Sequence, residues 1–422
     1  MTQTIFGIVA IVCAALLAYT MTPIVRVLAF KIGAVDVPLD NRRMHTKPIP
    51  RIGGLAIYLS FLITTLLFCN IDKQLVTIWI GGAVLVILGT IDDIYRLNAW
   101  LKLVIQLAAA GFAVWNGCVI DHINLGGVYV HLGYLSIPLT VLWIAGLTNA
   151  INFIDGLDGL ACGVSAISSL SLMIVVLLNG DIVSTVIFGI LFGSCLGFLP
   201  FNSNPARIFM GDTGALFLGY SLAVMSVSGV FKLHAVLSFI VPLILFAIPI
   251  FDAFFAIVRR LIAGKSPFSA DRGHLHHRLI DMGFTQKESV KLIYATCAIL
   301  GLVAIFCTES MFENMRVVKS ISIAVIAIVL FGVNFIILRD PNLRRHSGII
   351  EDDMTITDYI SELDPKKAKK IEEHNGATPE EIKEIEEDIE SKKEQYDKDI
   401  EEFEEMNPGK RTLVRIVSAV LL

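Results

Sequence analysis

The sequence predicts an all-α, polytopic membrane protein with about eleven transmembrane helices and a soluble, helical, acidic tail. Three observations carry this. Of 422 residues, 55% are hydrophobic and only 17% charged, against about 25% charged in a soluble domain; the mean hydropathy is +0.70. Apolar runs near the ~20 residues needed to cross a bilayer recur along the chain. The charge is also unevenly placed. Glu351 to Lys410 hold 22 Asp and Glu against 9 Lys and Arg, a net −13, while the remainder carries +8. The composition excludes an ordinary cytosolic enzyme and a disordered chain. The charge split separates a membrane body, residues 1–340, from a cytoplasmic acidic tail, residues 341–422.

The expected spans centre on Ile5–Phe30, Leu55–Cys69, Leu75–Ile91, Leu101–Cys118, Leu135–Ile151, Leu160–Leu178, Ile182–Leu199, Ala215–Val230, Ala235–Val258, Leu292–Cys307 and Ile321–Leu338. The first is too long for a signal-peptide core and precedes a basic loop, so it is read as a retained helix. Fifteen Lys and Arg fall in one set of loops and four in the other. The rich set is therefore cytoplasmic, with the N-terminus outside and the C-terminus inside. In the outer loop Val119–Tyr134, Gly126-Gly127 between β-type residues predicts a small hairpin. In the tail, Thr378-Pro379-Glu380-Glu381 begins an amphipathic helix running to Phe403, which suits either solvent or a protein partner. Arg411–Leu422 is too short to span and suits the membrane surface. The seven cysteines form no CxxC pair and mostly lie in apolar runs, as small buried side chains do.

Charged residues are costly near membrane helices, so their clusters are the functional candidates. Asp92-Asp93 ends the third span. Adjacent carboxylates repel, and the pair suits Mg²⁺ binding or proton acceptance. Asn149, Asn152, Asp155 and Asp158 recur every three residues, which places them on roughly one helix face. Gly156 and Gly159 allow close approach of a ligand. In Asn202–Gly214, Asp212 precedes an apolar helix expected to start near Ala215, whose free N–H groups would favour a phosphate; Asp212 would hold the matching Mg²⁺. In Asp271-Arg272-Gly273-His274-Leu275-His276-His277-Arg278, the arginines disfavour zinc, no thiol is near, and the set suits pyrophosphate oxygens. The loop Asp36–Gly54, with Pro48, Pro50 and Gly53-Gly54, presents Arg42, Arg43, His45, Lys47 and Arg51 to an anion.

Together and in this order, RRxHxxPxPRxGG, IDD, NxxNxxDGLDGL, FMGDTG and DRGHLHHRL resemble the polyprenyl-phosphate N-acetylhexosamine-1-phosphate transferases (glycosyltransferase family 4) over about residues 1–340. The histidine motif and first loop are most similar to the bacterial undecaprenyl-phosphate N-acetylglucosamine-1-phosphate transferase branch; the muramoyl-pentapeptide branch carries three consecutive histidines. The resemblance implies a multi-pass enzyme of the bacterial plasma membrane with a cytoplasmic active site. Its reaction would be UDP-N-acetylglucosamine plus undecaprenyl phosphate giving UMP and undecaprenyl-diphospho-N-acetylglucosamine, the first membrane step toward teichoic acid, O-antigen or a similar polymer. It implies Mg²⁺, with Mn²⁺ as a substitute, contact with membrane lipids, no nucleic acid, and room for a homodimer. Carried over residue by residue, Asp92, Asp93, Asp155, Asp158, His276 and His277 are the expected catalytic groups. Lys47, Arg51, Asn149, Asn152, Asn202, Phe209, Arg272 and His274 are the expected substrate contacts, Phe209 by stacking on uracil. Asp212, Asp92 and Asp93 are the expected metal ligands. The chemistry with another UDP-N-acetyl sugar stays open.

A membrane transporter is the competing class. Transporters place their acids near the midplane, often on inverted repeats. Here the acids sit at helix ends and the sequence shows no internal repeat. A scaffold whose tail binds partners would leave the five polar clusters unexplained.

Overall fold

A computed structural model describes residues 2–36, 48–125, 128–229, 240–262, 264 and 273–306. The chain divides into two units, Met1–Leu343 and Arg344–Leu422. All described residues belong to the first. The expected span Ile321–Leu338 and the acidic tail with its amphipathic helix lie outside the described residues.

The chain opens with α1 (Thr2–Ile32), followed by a short antiparallel pair, β1 (Val35–Asp36) with β2 (Ile49–Pro50). Three helices follow: α2 (Gly54–Phe68), α3 (Lys73–Tyr95) and α4 (Ala99–Trp115). Their boundaries are written locally. Asp72 caps α3 by accepting from the Leu75 N–H at 2.8 Å, and Asn98 caps α4 through Trp100 N–H at 2.9 Å. The expected hairpin is present as β3 (His122–Leu125) and β4 (Val128–His131), with His122 opposite His131 and Leu125 opposite Val128.

A 3-10 turn, Gly133–Leu135, leads into α5 (Ser136–Phe153), then α6 (Leu160–Leu178), α7 (Ile182–Asn202) and α8 (Gly211–Gly229). The span expected as one helix over Ala235–Val258 is instead two, α9 (Ile240–Leu245) and α10 (Ala247–Ile262). Pro249 has no N–H to give the Leu245 carbonyl, and the chain turns at Phe246 where that bond is missing. The short α11 (Leu275–Asp281) and α12 (Gln286–Phe306) complete the described fold.

Six helical segments are long and apolar enough to cross a membrane: Ile5–Ile32, Lys73–Tyr95, Gly133–Phe153, Leu160–Leu178, Ile182–Asn202 and Gln286–Phe306. That defines a multi-pass membrane protein, with fewer qualifying helices among the described residues than the eleven spans expected. Two of the others, α2 and α4, are apolar but shorter. On the outside of the bundle, α1 exposes Ile5, Leu16, Ile24 and Val27, as a lipid-facing helix does.

The core is built around α8. Every residue from Gly211 to Gly229 is buried except Asp212. A helix buried on all sides packs against other helices rather than lipid, which accounts for its glycines and serines. It packs on α3, α5 and α2, while α1 and α6 pack on α7 and α12 on α6. The approach to α2 is glycine against glycine. A Cβ on Gly54 would strike the backbone of Gly214, and one on Gly214 would strike Met210 and Gly54. This contact brings the starts of α2 and α8 to the same end of the bundle as the end of α3.

Candidate active site

At that end, Asp93 sits on the last turn of α3 with a side chain wholly removed from solvent. Its carboxylate accepts from the backbone N–H of Asp212 at 3.2 Å and of Thr213 at 3.1 Å, and from Thr213 Oγ1 at 2.8 Å. Arg51 Nε lies 3.7 Å away. Gly211 makes this possible: its φ is +69°, and a Cβ there would collide with the Arg51 carbonyl and the Asp93 carboxylate. The expectation of free N–H groups at the start of α8 is therefore corrected. Asp93 already occupies the amides of Asp212 and Thr213, and the helix starts at Gly211, four residues earlier than expected, because the incoming carboxylate completes its first turn.

Asp92 faces the other way. One oxygen accepts from Leu97 N–H at 2.7 Å; the other accepts from Lys102 Nζ at 2.9 Å. The same Nζ donates to Asp212 Oδ2, also at 2.9 Å. Lys102, from the first turn of α4, thus bridges two carboxylates from α3 and α8. Asn152 Nδ2 reaches the same Asp212 oxygen at 3.5 Å. Beside this bridge opens a cavity of about 490 Å³, lined by Asp36, Arg51, Asp92, Arg96, Leu97 and Lys102. Arg51 pairs across it with Asp36 at 3.6 Å.

The Asn149–Asp158 series does not stay on one helix face. Helix α5 ends at Phe153, and Gly156 and Gly159 (φ +79°) turn the chain, so Asp155 and Asp158 leave the helix. Asn149 donates to Gln106 Oε1 at 2.5 Å and to the Ala145 carbonyl. Asp158 accepts from Asn204 Nδ2 at 2.9 Å and Ala206 N–H at 3.0 Å, pinning the α7–α8 loop. Asp155 stays near the charged cluster. Burial, with the negative charge of Asp212 and Asp93, pushes its carboxyl well above the usual range, against the pull of Arg51. Asn202 is buried at the end of α7 and donates to the Ile208 carbonyl at 3.0 Å, and its Oδ1 meets no hydrogen-bond donor among the described residues. Phe209 is half-buried, its backbone strapped to Pro50 and Gly53.

The histidine segment meets the Asp155–Gly159 turn from α11. A Cβ on Gly156 would run into the His276 ring, so the two surfaces are in contact there. His274 and His276 stack at 5.8 Å and 10°, and His276 and His277 lie 4.3 Å apart. Burial pushes His276 down to about 3; His277 and His274 add to this and Asp252 opposes it. His276 is therefore neutral near pH 7 and offers a hydrogen bond rather than a charge. Lys47 and Arg272 lie outside the described residues.

Sequence reading missed three participants. Lys102 was counted only among the inside charges, Gln106 lies in an apolar helix, and Asp252 was passed over on α10. An acid within Ile248–Val258 was the available signal.

The donor set fits a hard cation. Asp92 and Asp212 bring carboxylate oxygens to one point, where the Lys102 ammonium sits between them, and Mg²⁺ is commonly held by one or two carboxylates plus substrate phosphates. Among the described residues, no three His, Cys, Asp or Glu converge as a ready-made metal cage.

The fold is that of a multi-pass membrane protein, and its lysine-bridged carboxylates meet at one end of the helices. Residues 75–230 match the model of glycosyl transferase family 4. The chain is 42% identical over 303 residues to a probable undecaprenyl-phosphate N-acetylglucosaminyl 1-phosphate transferase of Bacillus subtilis (strain 168), covering 71% of this chain and 84% of that protein. It is 37% identical to a decaprenyl-phosphate N-acetylglucosaminephosphotransferase of Mycobacterium leprae (strain TN), covering 79% and 90%. It is 32% identical to an undecaprenyl-phosphate alpha-N-acetylglucosaminyl 1-phosphate transferase of Thermotoga maritima, covering 62% and 78%. The chain belongs to glycosyl transferase family 4 and is a transferase.

Proposed function

We propose that the protein transfers N-acetylglucosamine 1-phosphate from UDP-N-acetylglucosamine to undecaprenyl phosphate. The observation that carries this is the Asp92–Lys102–Asp212 bridge beside a cavity that also holds Arg51 and Arg96. The 42% identical relative named for this transfer supports it. Two anionic phosphates must meet in this reaction, and cationic side chains at the meeting point offset their repulsion.

In the proposed reaction, an oxygen of the lipid phosphate attacks the phosphorus that carries the sugar. A new P–O–P bond forms as the old one breaks, and UMP departs with the bridging oxygen. The lipid phosphate is already ionised near neutral pH, so a direct displacement needs no strong base. Lys102 and Arg51 receive the phosphates. Asp93 does not need to leave its position: it fixes α8 so that Asp212 reaches the Lys102 ammonium beside the cleft. Asn152 steadies Asp212, and Asp158 holds the α7–α8 loop under Asn202 and Phe209, which face the nucleoside. Asp212 and Asp92 would hold Mg²⁺, with Mn²⁺ able to replace it; the ion would supply charge neutralisation at the transferring phosphoryl group.

The body would cross the bacterial plasma membrane about eleven times with the cleft on the cytoplasmic face. The loop charge bias supports this, as does the need for a nucleotide from the cytosol and a lipid from the bilayer. The product would start a cell-envelope polysaccharide, and the tail beyond residue 340 would stand apart from the chemistry. The test is purified protein given undecaprenyl phosphate and a panel of UDP-sugars, with UMP release measured with and without Mg²⁺. Release with UDP-N-acetylglucosamine alone, and only with the cation, is expected. Equal release with sugars lacking the N-acetyl group would overturn the assignment.

A further inference from the structure

Asp252 projects from α10 toward the start of α11 and is used by none of the chemistry above. Its side chain is 5% exposed and that of His274 9%. One oxygen lies 2.9 Å from His274 Nδ1; the other accepts from Leu275 N–H at 2.7 Å. Both oxygens of one buried carboxylate are thus committed to the first residues of the histidine segment. His274 in turn stacks on His276, whose ring rests against Gly156. His274 also packs against Phe153 at 5.7 Å, and Arg260 lies over the Phe153 ring at 5.7 Å. A continuous path of contacts therefore runs from α10 through the stacked imidazoles to the turn that carries Asp155.

We propose that Asp252 is a positioning residue for the transfer reaction: it fixes which nitrogen of His274 carries the proton and holds the stacked histidines against the Asp155–Gly159 turn. This rests on the function proposed above. A carboxylate can only accept, so Nδ1 of His274 must carry the hydrogen whether the ring is neutral or charged. The nitrogen left for other partners is Nε2. Leu275 N–H would otherwise be an orphan at the start of a helix, and its bond to Asp252 sets where α11 begins. Losing the carboxylate would leave two buried donors without acceptors.

Asp252→Asn separates proton placement from mere packing. It is isosteric, and Asn can still accept from Leu275 N–H while its amide donates to His274. That arrangement requires Nδ1 to be the acceptor, which moves the ring proton to Nε2. The variant should fold with a thermal midpoint close to the parent. Side-chain ¹⁵N NMR on histidine-labelled protein should show the His274 proton on Nδ1 in the parent and on Nε2 in Asp252→Asn. Turnover should fall about 10-fold or more, with KM for the UDP-sugar within about 3-fold, the scale seen when an outer partner of a working histidine is lost. His274→Ala should fall similarly, and the double variant should be no worse than His274→Ala alone.

A normal kcat in Asp252→Asn with the proton moved, or losses that multiply in the double variant, would overturn the positioning role. An unmoved proton would overturn the proton assignment. The NMR readout needs no substrate. A parent that released no UMP from any UDP-sugar would thus refute the proposed function while leaving the assignment of the proton to be judged by itself.

Discussion

Where α3, α4 and α8 converge, charge is answered by charge. Lys102 stands 2.9 Å from both Asp92 and Asp212, and Arg51 stands near Asp93 and Asp36. Where α10 and α11 meet the Asp155–Gly159 turn, the groups are rings, and the central one, His276, is held neutral by burial. The first region sets acids against cations beside a cavity. The second is a packed stack tied down by a single carboxylate. Charged groups suit transfer of a phosphoryl group, whose charge must be neutralised; a packed ring stack suits holding the shape and hydrogen-bonding groups of a sugar nucleotide. The comparison predicts that damage to the first region removes catalysis, whereas damage to the second changes positioning and stability.

The largest effect is expected at Asp212, the one residue of α8 that is not fully buried. Asp212→Asn should lower UMP release in the proposed reaction by about 1,000-fold, the upper range for losing one electrostatic contact to a transition state. The thermal midpoint should shift little, because the Asp93 bonds to the α8 amides remain. Near-normal turnover would break the assignment of charge to the first region.

Lys102→Met comes next. It leaves Asp92 and Asp212 facing each other without the intervening cation, so turnover should drop about 100-fold and the thermal midpoint should fall through like-charge repulsion. Added divalent cation should restore part of that midpoint. A variant whose midpoint ignored divalent cations would show that the two carboxylates do not share a cation site.

The second region should reveal itself through pH. His276 titrates near 3 in the fold against 6.5 in an unfolded chain. Between those values the unfolded state binds the extra proton, so this contribution to stability is complete above about 6.5 and is lost as pH falls toward about 3. Thermal midpoints measured across that window should decline more steeply for the parent than for His276→Gln, which cannot titrate. Parallel curves would show that His276 is not held neutral.

The smallest effect is expected outside both regions. Ending the chain after Arg345 should leave kcat within about 2-fold, since no motif of the transferase lies beyond residue 340. A well-folded truncation without activity would give the tail a part in catalysis or assembly.

Much of the site could be read from local signals. Asp92-Asp93, the Asn149–Asp158 series, Asp212 and the histidine segment all announce themselves as clustered polar residues where the chain is otherwise apolar. Hairpin β3–β4 was equally legible, because Gly126-Gly127 between β-branched and aromatic residues is a local code. Lys102 and Asp252 are single charges with no companion motif. Each acquires its meaning from residues far away in sequence: Lys102 from Asp212, Asp252 from His274. The start of α8 was misplaced for the same reason. Its first turn is completed by a carboxylate from α3, which no reading of residues 205–215 could supply. The break before α10 falls just ahead of Pro249, inside an apolar run long enough to read as one span.

A helical membrane protein, the acids at its helix ends and the family those acids mark were all legible before any folding. Hydropathy, turn residues and motif spacing are local properties, and they survive in the unfolded chain. That Asp93 closes a helix while its neighbour Asp92 shares a lysine with Asp212, and that burial holds His276 neutral, emerges only in the folded chain. Those outcomes depend on which groups are brought within hydrogen-bonding distance and how much water is removed from them. Both are set by the glycine-to-glycine packing of α2 and α8 and by the contact of α11 with Gly156, not by any segment alone.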